Sequence, residues 1–202
     1  MYTFKEQQGV FHIYSNNQPV LTPGGQEVVT EFKDLAKRLV KDLEKYGNDP
    51  SNSLSIVAFH YPYLDFHKIN LDSFSFDSVA LGLEPEWEWT FDCPTAEPEG
   101  MMRWISLFGI RSEIYDKAKT WVYSLSPMQL SAVTVLGRTL QSINIPYLIV
   151  NVLDKNTINA YAKEIWDIES ESFAFNNVIE LRKVFQNYYF YYNLDNKKDA
   201  IR

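Results

Sequence analysis

The chain has 202 residues, of which 46% are hydrophobic and 15% aromatic, enough apolar material for a folded core in one large domain or two small ones. Its formal charge is −7, and a phosphate-binding surface would need the opposite sign, so nucleic acid is excluded as the expected partner. One cysteine, Cys93, leaves no internal disulfide.

The chain opens Met1-Tyr2-Thr3-Phe4-Lys5-Glu6 without a basic and apolar secretory leader, so the expected location is the cytoplasm. Residues 2–7 and 10–15 alternate around Gln8-Gly9, and residues 19–22 follow the turn signal Asn16-Asn17. Together they predict a small antiparallel meander. From Thr30 the apolar positions Phe32, Leu35, Ala36, Leu39, Val40, Leu43 and Tyr46 recur at three- and four-residue steps, with Asp34, Lys37, Arg38, Lys41 and Lys45 on the other face. That spacing predicts a helix over 30–46, ended by Gly47.

The stretch His60-Tyr61-Pro62-Tyr63-Leu64-Asp65-Phe66-His67 holds the imidazoles and carboxylate that a metal or acid–base site would use. On a helix His60 and His67 share a face while Asp65 points elsewhere; on a strand Asp65 and His67 pair without His60; and Pro62 should interrupt either element. The geometry therefore disfavours metal binding or catalysis. His12 has no acidic or thiol neighbour at ligand spacing, and Cys93 has no basic neighbour to activate it. No phosphate-cradling glycine loop, zinc ligand set or nucleophile elbow occurs, so neither a catalytic residue nor a cofactor or metal is expected.

Between Lys68 and Arg103 lie eight of the 26 acidic residues and no basic one, which leaves 18 acidic against 19 basic elsewhere. Within this segment Trp87, Trp89 and Phe91 alternate with Glu86, Glu88, Thr90 and Asp92, and Phe74 and Phe76 alternate with Ser73, Ser75 and Asp77. The alternation predicts a second hairpin over 73–92, with aromatics inward and acids toward solvent, the alternative being an exposed aromatic strip for a partner. Residues 93–100, with two prolines, a glycine and two acids, read as a loop or linker.

Beyond it the periodicity is helical over 101–109, 112–123, 127–143, 146–153, 157–170 and 176–192. The apolar run Ile145 to Val150 is far shorter than the roughly 20 residues of a spanning helix and should be buried, with no membrane insertion. Pro127 and Pro146 suit first-turn positions, and Ser126 and Asp154 sit where capping residues belong. In the last helix Val178, Leu181, Phe185, Tyr188 and Tyr192 form one stripe, which Tyr189, Phe190 and Tyr191 widen almost around the helix. Either the bundle surrounds this end, or Phe190 and Tyr191 are exposed anchors for a partner. The expected class is α+β: a β-rich domain over 1–96 with the helix 30–46, then an all-helical domain over 97–202.

The order of these elements resembles the chaperone family that assembles the catalytic head of mitochondrial and alphaproteobacterial F-type ATP synthases by binding the isolated alpha subunit. That family leads from a strand pair into Asp-Gly-Arg-Pro-Val-Lys-Thr-Pro, to which Asn16-Asn17-Gln18-Pro19-Val20-Leu21-Thr22-Pro23 is similar. Leu35-Ala36 resemble the Leu-Ala at the head of its helix, and Leu54 through Leu64-Asp65 its apolar stretch ending Ile-Asp. Trp104 followed by Gly109, the positions Leu125, Leu130 and Ser142, and the segment Ile168-Glu169-Ser170-Glu171 are similar in turn. Departures fall at Lys41, Phe173 and Asn177 and over the acidic residues 73–92.

The resemblance implies a protein-binding assembly chaperone whose client is an unassembled ATP synthase alpha subunit. Glu169 or Glu171 matches the acidic residue the family uses. The candidate partner-binding residues are then Glu169, Glu171, Trp104, Phe190 and Tyr191. A binding or scaffold module for another protein carries the same signature, and a small metal-dependent enzyme around His60, Asp65 and the Trp87-Glu88 region is the remaining class.

Overall fold

The computed structural model of the chain describes residues 1–68, 117–118, 120–122, 124–140, 144–154, 156–169 and 174–196. The acidic stretch 73–92, the loop 93–100 with the boundary at 96/97, Cys93, Trp104, Glu171 and the helix expected over 101–109 lie outside the described residues.

Two hairpins build the sheet as the turn signals require. Strand β1 (Tyr2–Gln7) pairs antiparallel with β2 (Val10–Ser15) in the register Tyr2 to Ser15 through Gln7 to Val10. Gln8 and Gly9 join them with φ of 53° and 81°, and Asn16 and Asn17, at 50° and 65°, make the next turn. Two consecutive positive φ values match the right-handed twist of the flanking strands. Strand β3 (Gln18–Pro19) is shorter than the run expected over 19–22, because the chain folds back at Thr22, whose carbonyl accepts from Gly25 N at 2.9 Å. Leu21 is left with an isolated bridge to Glu27. A strand not anticipated from sequence, β4 (Val29–Thr30), pairs with β2 at Phe11 and His12, so β3 and β4 share one edge of β2 while β1 takes the other.

Helix α1 spans Lys33–Tyr46, three residues shorter at its start than expected, since Thr30 belongs to β4 and its hydroxyl accepts from Phe32 N at 3.1 Å. It buries Leu35, Ala36, Leu39 and Leu43 against the sheet, and Gly47, at φ 77°, ends it with a bond to the Leu43 carbonyl. Asp42 is buried on the same face and accepts from Ile56 N at 2.7 Å, fastening α1 to the turn before α2.

Helix α2 spans Val57–Lys68 and runs through Pro62, contrary to the expectation that this proline would interrupt the element. Proline removes one amide donor and crowds the carbonyl four residues back. One position on from that carbonyl, the Phe59 carbonyl accepts from the Ser131 hydroxyl at 2.9 Å, a buried bond that ties α2 to α3 beside the proline.

Further helices are α3 (Pro127–Leu140), α4 (Asn144–Asn151), α5 (Ile158–Glu169) and α6 (Val178–Tyr192), each within a few residues of its expected span, and the described residues of the helix expected over 112–123 are helical as well. Ser126 and Gln129 bond reciprocally, Gln129 N to Ser126 Oγ at 3.2 Å and Ser126 N to Gln129 Oε1 at 3.1 Å, a capping box that starts α3. Asn177 caps α6 by accepting from Ile179 N and Glu180 N. Helix α6 packs on α3, α4 and α5, and α2 on α3, so the buried residues Leu39, Phe59, Leu136, Phe185 and Tyr188 belong to one core. The protein is thus α+β, a small antiparallel sheet with a long helix followed by helices. Among the described residues no helix is long and apolar enough to cross a membrane.

Candidate functional site

Two segments far apart in the chain close on each other beside the sheet. The Thr22 hydroxyl donates to Asp65 Oδ1, and Gly24 N donates to Asp65 Oδ2 at 3.2 Å. Thr22 Oγ1 also accepts from Gln26 N at 3.0 Å, so the carboxylate, the hydroxyl and the turn form one network. A Cβ at Gly24 would stand 2.5 Å from Asp65 Oδ1, which explains the glycine by close approach and not by backbone angle. Thr22-Pro23 ends the first resembling motif and Asp65 ends a later one; the fold brings them together.

One turn earlier on α2, His60 faces another way. Its Nε2 lies 2.8 Å from the Val29 carbonyl and its Nδ1 2.9 Å from the Tyr191 hydroxyl. A carbonyl only accepts, so Nε2 carries the proton and Nδ1 accepts from the phenol. Complete burial pushes the imidazole down to about 4, with the Val29 carbonyl acting in the opposite direction, and the ring is neutral at pH 7. Tyr63 stacks on it at 5.9 Å. His60 is therefore a neutral tie between β4 and α6 and has no nitrogen left for a metal. The side chain of His67 lies outside the described residues, and among those described no group of three His, Cys, Asp or Glu side chains could hold a metal ion.

Next to this tie opens a cleft of about 580 Å³ between the segment 25–32, helix α2, the start of α3 and the turn after α6. Phe32, Tyr63, Leu64 and Met128 give it apolar walls. Glu27, Glu31 and Asp195 add three carboxylates, and among the described residues no lysine or arginine lines it. Glu27 is 56% exposed, with His12 Nδ1 at 3.5 Å. Such a lining suits a group with an apolar body and a positive end, because the walls bury the one and the rim neutralises the other.

Of the residues expected to bind a partner, Phe190 and Tyr191 do not line this cleft. Glu169 is the last residue of α5, with its side chain outside the described residues, as are Glu171 and Trp104. Phe190 is half-buried beneath the Arg38 guanidinium, 3.7 Å from its ring centre. Tyr191 is not an exposed anchor: it is fully buried, because α2 covers that side of α6 and His60 takes its hydroxyl. Sequence reasoning missed Glu27, Glu31, Met128 and Asp195, which come from three separate parts of the chain, the segment 25–32, the start of α3 and the turn after α6, and share no spacing that would have grouped them. No protein-family model, curated protein or solved structure matches the chain.

Proposed function

We propose that this chain is a protein-binding assembly chaperone, with the cleft beside His60 receiving a basic and apolar segment of an unassembled subunit. The observation that carries the reading is the lining itself, in which Glu27, Glu31 and Asp195 rim apolar walls made by Phe32, Tyr63, Leu64 and Met128. An isolated subunit exposes surface meant for its neighbour and aggregates unless that surface is covered. A polar-rimmed cleft gives moderate affinity, so the true neighbour can displace the chaperone during assembly.

The resemblance names the client as the ATP synthase alpha subunit. It gains support from the contact of Thr22 and Gly24 with Asp65, since two of the resembling segments form one network. The test is to mix the purified chain with a separately expressed alpha subunit from the same organism and follow solubility and co-elution. The wild type should keep the subunit soluble and co-elute with it, and a Glu27→Lys, Glu31→Lys, Asp195→Lys variant should not. Undiminished co-elution by that variant would remove the cleft from the reading. Aggregation of the subunit despite a folded wild-type chain would remove the client, and capture of basic, apolar peptides by the cleft would then favour a scaffold for another protein. Glu169→Lys and Glu171→Lys test the acidic position that the resemblance implies.

A further inference from the structure

A second surface, on the far side of α1, carries the opposite charge. Arg38, Lys41 and Lys45 are spaced along one stripe of α1, and Lys183 projects beside them from α6. The two helices touch where the Arg38 guanidinium lies over the Phe190 ring. Lys183 is half-buried, and burial together with repulsion from Arg38, Lys41 and Lys45 lowers its affinity for a proton, which only Asp42 offsets. Asp42 is itself 4% exposed and committed to Ile56 N. Asp34 also acts on Arg38 but is bridged to Lys37 at 3.7 Å. Lys45 lies 4.7 Å over the Tyr46 ring, and among the described residues the carboxylates that act on these four cations are Asp42 and Asp34, both already committed, so positive charge is in excess on this surface.

We propose that this basic surface where α1 meets α6, framed by Arg38, Lys41, Lys45 and Lys183, docks an acidic segment of a partner protein. It goes beyond the cleft reading, since the cleft calls for positive charge and lies on other elements. The stripe from position 38 to 45 spans about 10 Å at the helical rise, too long for one free anion and matched by carboxylates spaced along a peptide. Ile179, 70% exposed and one turn before Lys183, and half-buried Phe190 add apolar contact beside the charges, which an inorganic ion would not use. A nucleic acid would reach past this surface and meet the rest of a chain carrying −7, whereas a short acidic segment stays on it.

The test uses the full-length chain and fluorescence anisotropy with a labelled peptide alternating glutamate and leucine. Its counterparts are the same peptide with glutamine for glutamate, inorganic phosphate as competitor, and a labelled single-stranded DNA. The glutamate peptide should bind, should weaken as salt shortens the Debye length to about 8 Å, and should bind about tenfold more weakly to Lys183→Glu and to Lys41→Glu. Lys41 is exposed, so its variant reports on binding even where Lys183→Glu disturbs the fold. Lys163→Glu, at a lysine already paired with Asp167 on α5, should bind as the wild type does. The proposal is overturned by absence of binding, by equal binding of the glutamine peptide, by full displacement with millimolar phosphate, or by tighter binding of the DNA. Self-association of the chain that Lys41→Glu abolishes would also overturn it, by assigning this surface to a second copy.

Discussion

His60 and Tyr191, 131 positions apart in the chain, share a hydrogen bond of 2.9 Å in the middle of the core. Because the same imidazole donates to the Val29 carbonyl, one side chain ties the sheet edge, α2 and the last helix together at the floor of the acidic cleft. Shape of the cleft and integrity of the core therefore depend on the same neutral ring.

Acid should loosen this tie before it affects most carboxylates. His60 is held at about 4 in the folded protein against 6.5 when unfolded, so between those values the unfolded chain binds the proton and the folded one does not. Stability is then full above pH 6.5 and falls as pH drops toward 4, by up to about 3 kcal/mol from this ring. Urea midpoints measured from pH 7 to 4.5 should decline, and His60→Gln, although less stable at pH 7, should decline less. Parallel curves for the two proteins would mean that the ring is not buried and neutral.

Tyr191→Phe keeps the ring volume but removes the donor to His60 Nδ1. The buried nitrogen is left without a partner, at a cost of about 1–3 kcal/mol. Equilibrium unfolding at pH 7 reads this directly, and a midpoint equal to the wild type would show that the bond carries no net stability.

Gly24→Ala should act through Asp65 and not through backbone strain, because the added carbon meets the carboxylate 2.5 Å away. Moving the carboxylate breaks its bonds to Thr22 and Gly24, a loss of about 1–3 kcal/mol for an anion's hydrogen bonds. In an Asp65→Ala background the same substitution should cost far less, since the space is vacated. Equal costs in the two backgrounds, measured as a double-mutant cycle, would sink the explanation.

Locally encoded elements were readable from sequence. The two hairpins announce themselves by Gln8-Gly9 and Asn16-Asn17, and α1 by its periodicity and Gly47, because a turn's φ values and a helix's apolar stripe are decided within a few residues. What depends on distant partners was not readable. Tyr191 and Phe190 both widen the apolar stripe of α6, and only the packing of α2 determines that the first is inside and the second lies under Arg38. The cleft is assembled from Glu27, Glu31, Met128 and Asp195, on elements that meet only in the folded chain.

Pro62 was misjudged for the same reason, and the bond beside it is open to measurement. Pro62 leaves the Ala58 carbonyl without its helical amide donor, and one position on the Ser131 hydroxyl of α3 donates to the Phe59 carbonyl. Phe59 and Ser131 are both buried, so water cannot replace the hydroxyl without entering the core. Ser131→Ala should therefore destabilise the protein by about 1–2 kcal/mol. Pro62→Ala restores an amide donor and relieves the crowding of the carbonyl behind it, letting the turn tighten into regular helix. The restored donor serves the Ala58 carbonyl and not that of Phe59, so Ser131→Ala should cost about the same in that background. Urea unfolding of the four proteins gives the coupling. A Ser131→Ala cost that falls with alanine at position 62 would show that the proline frees the Phe59 carbonyl as well.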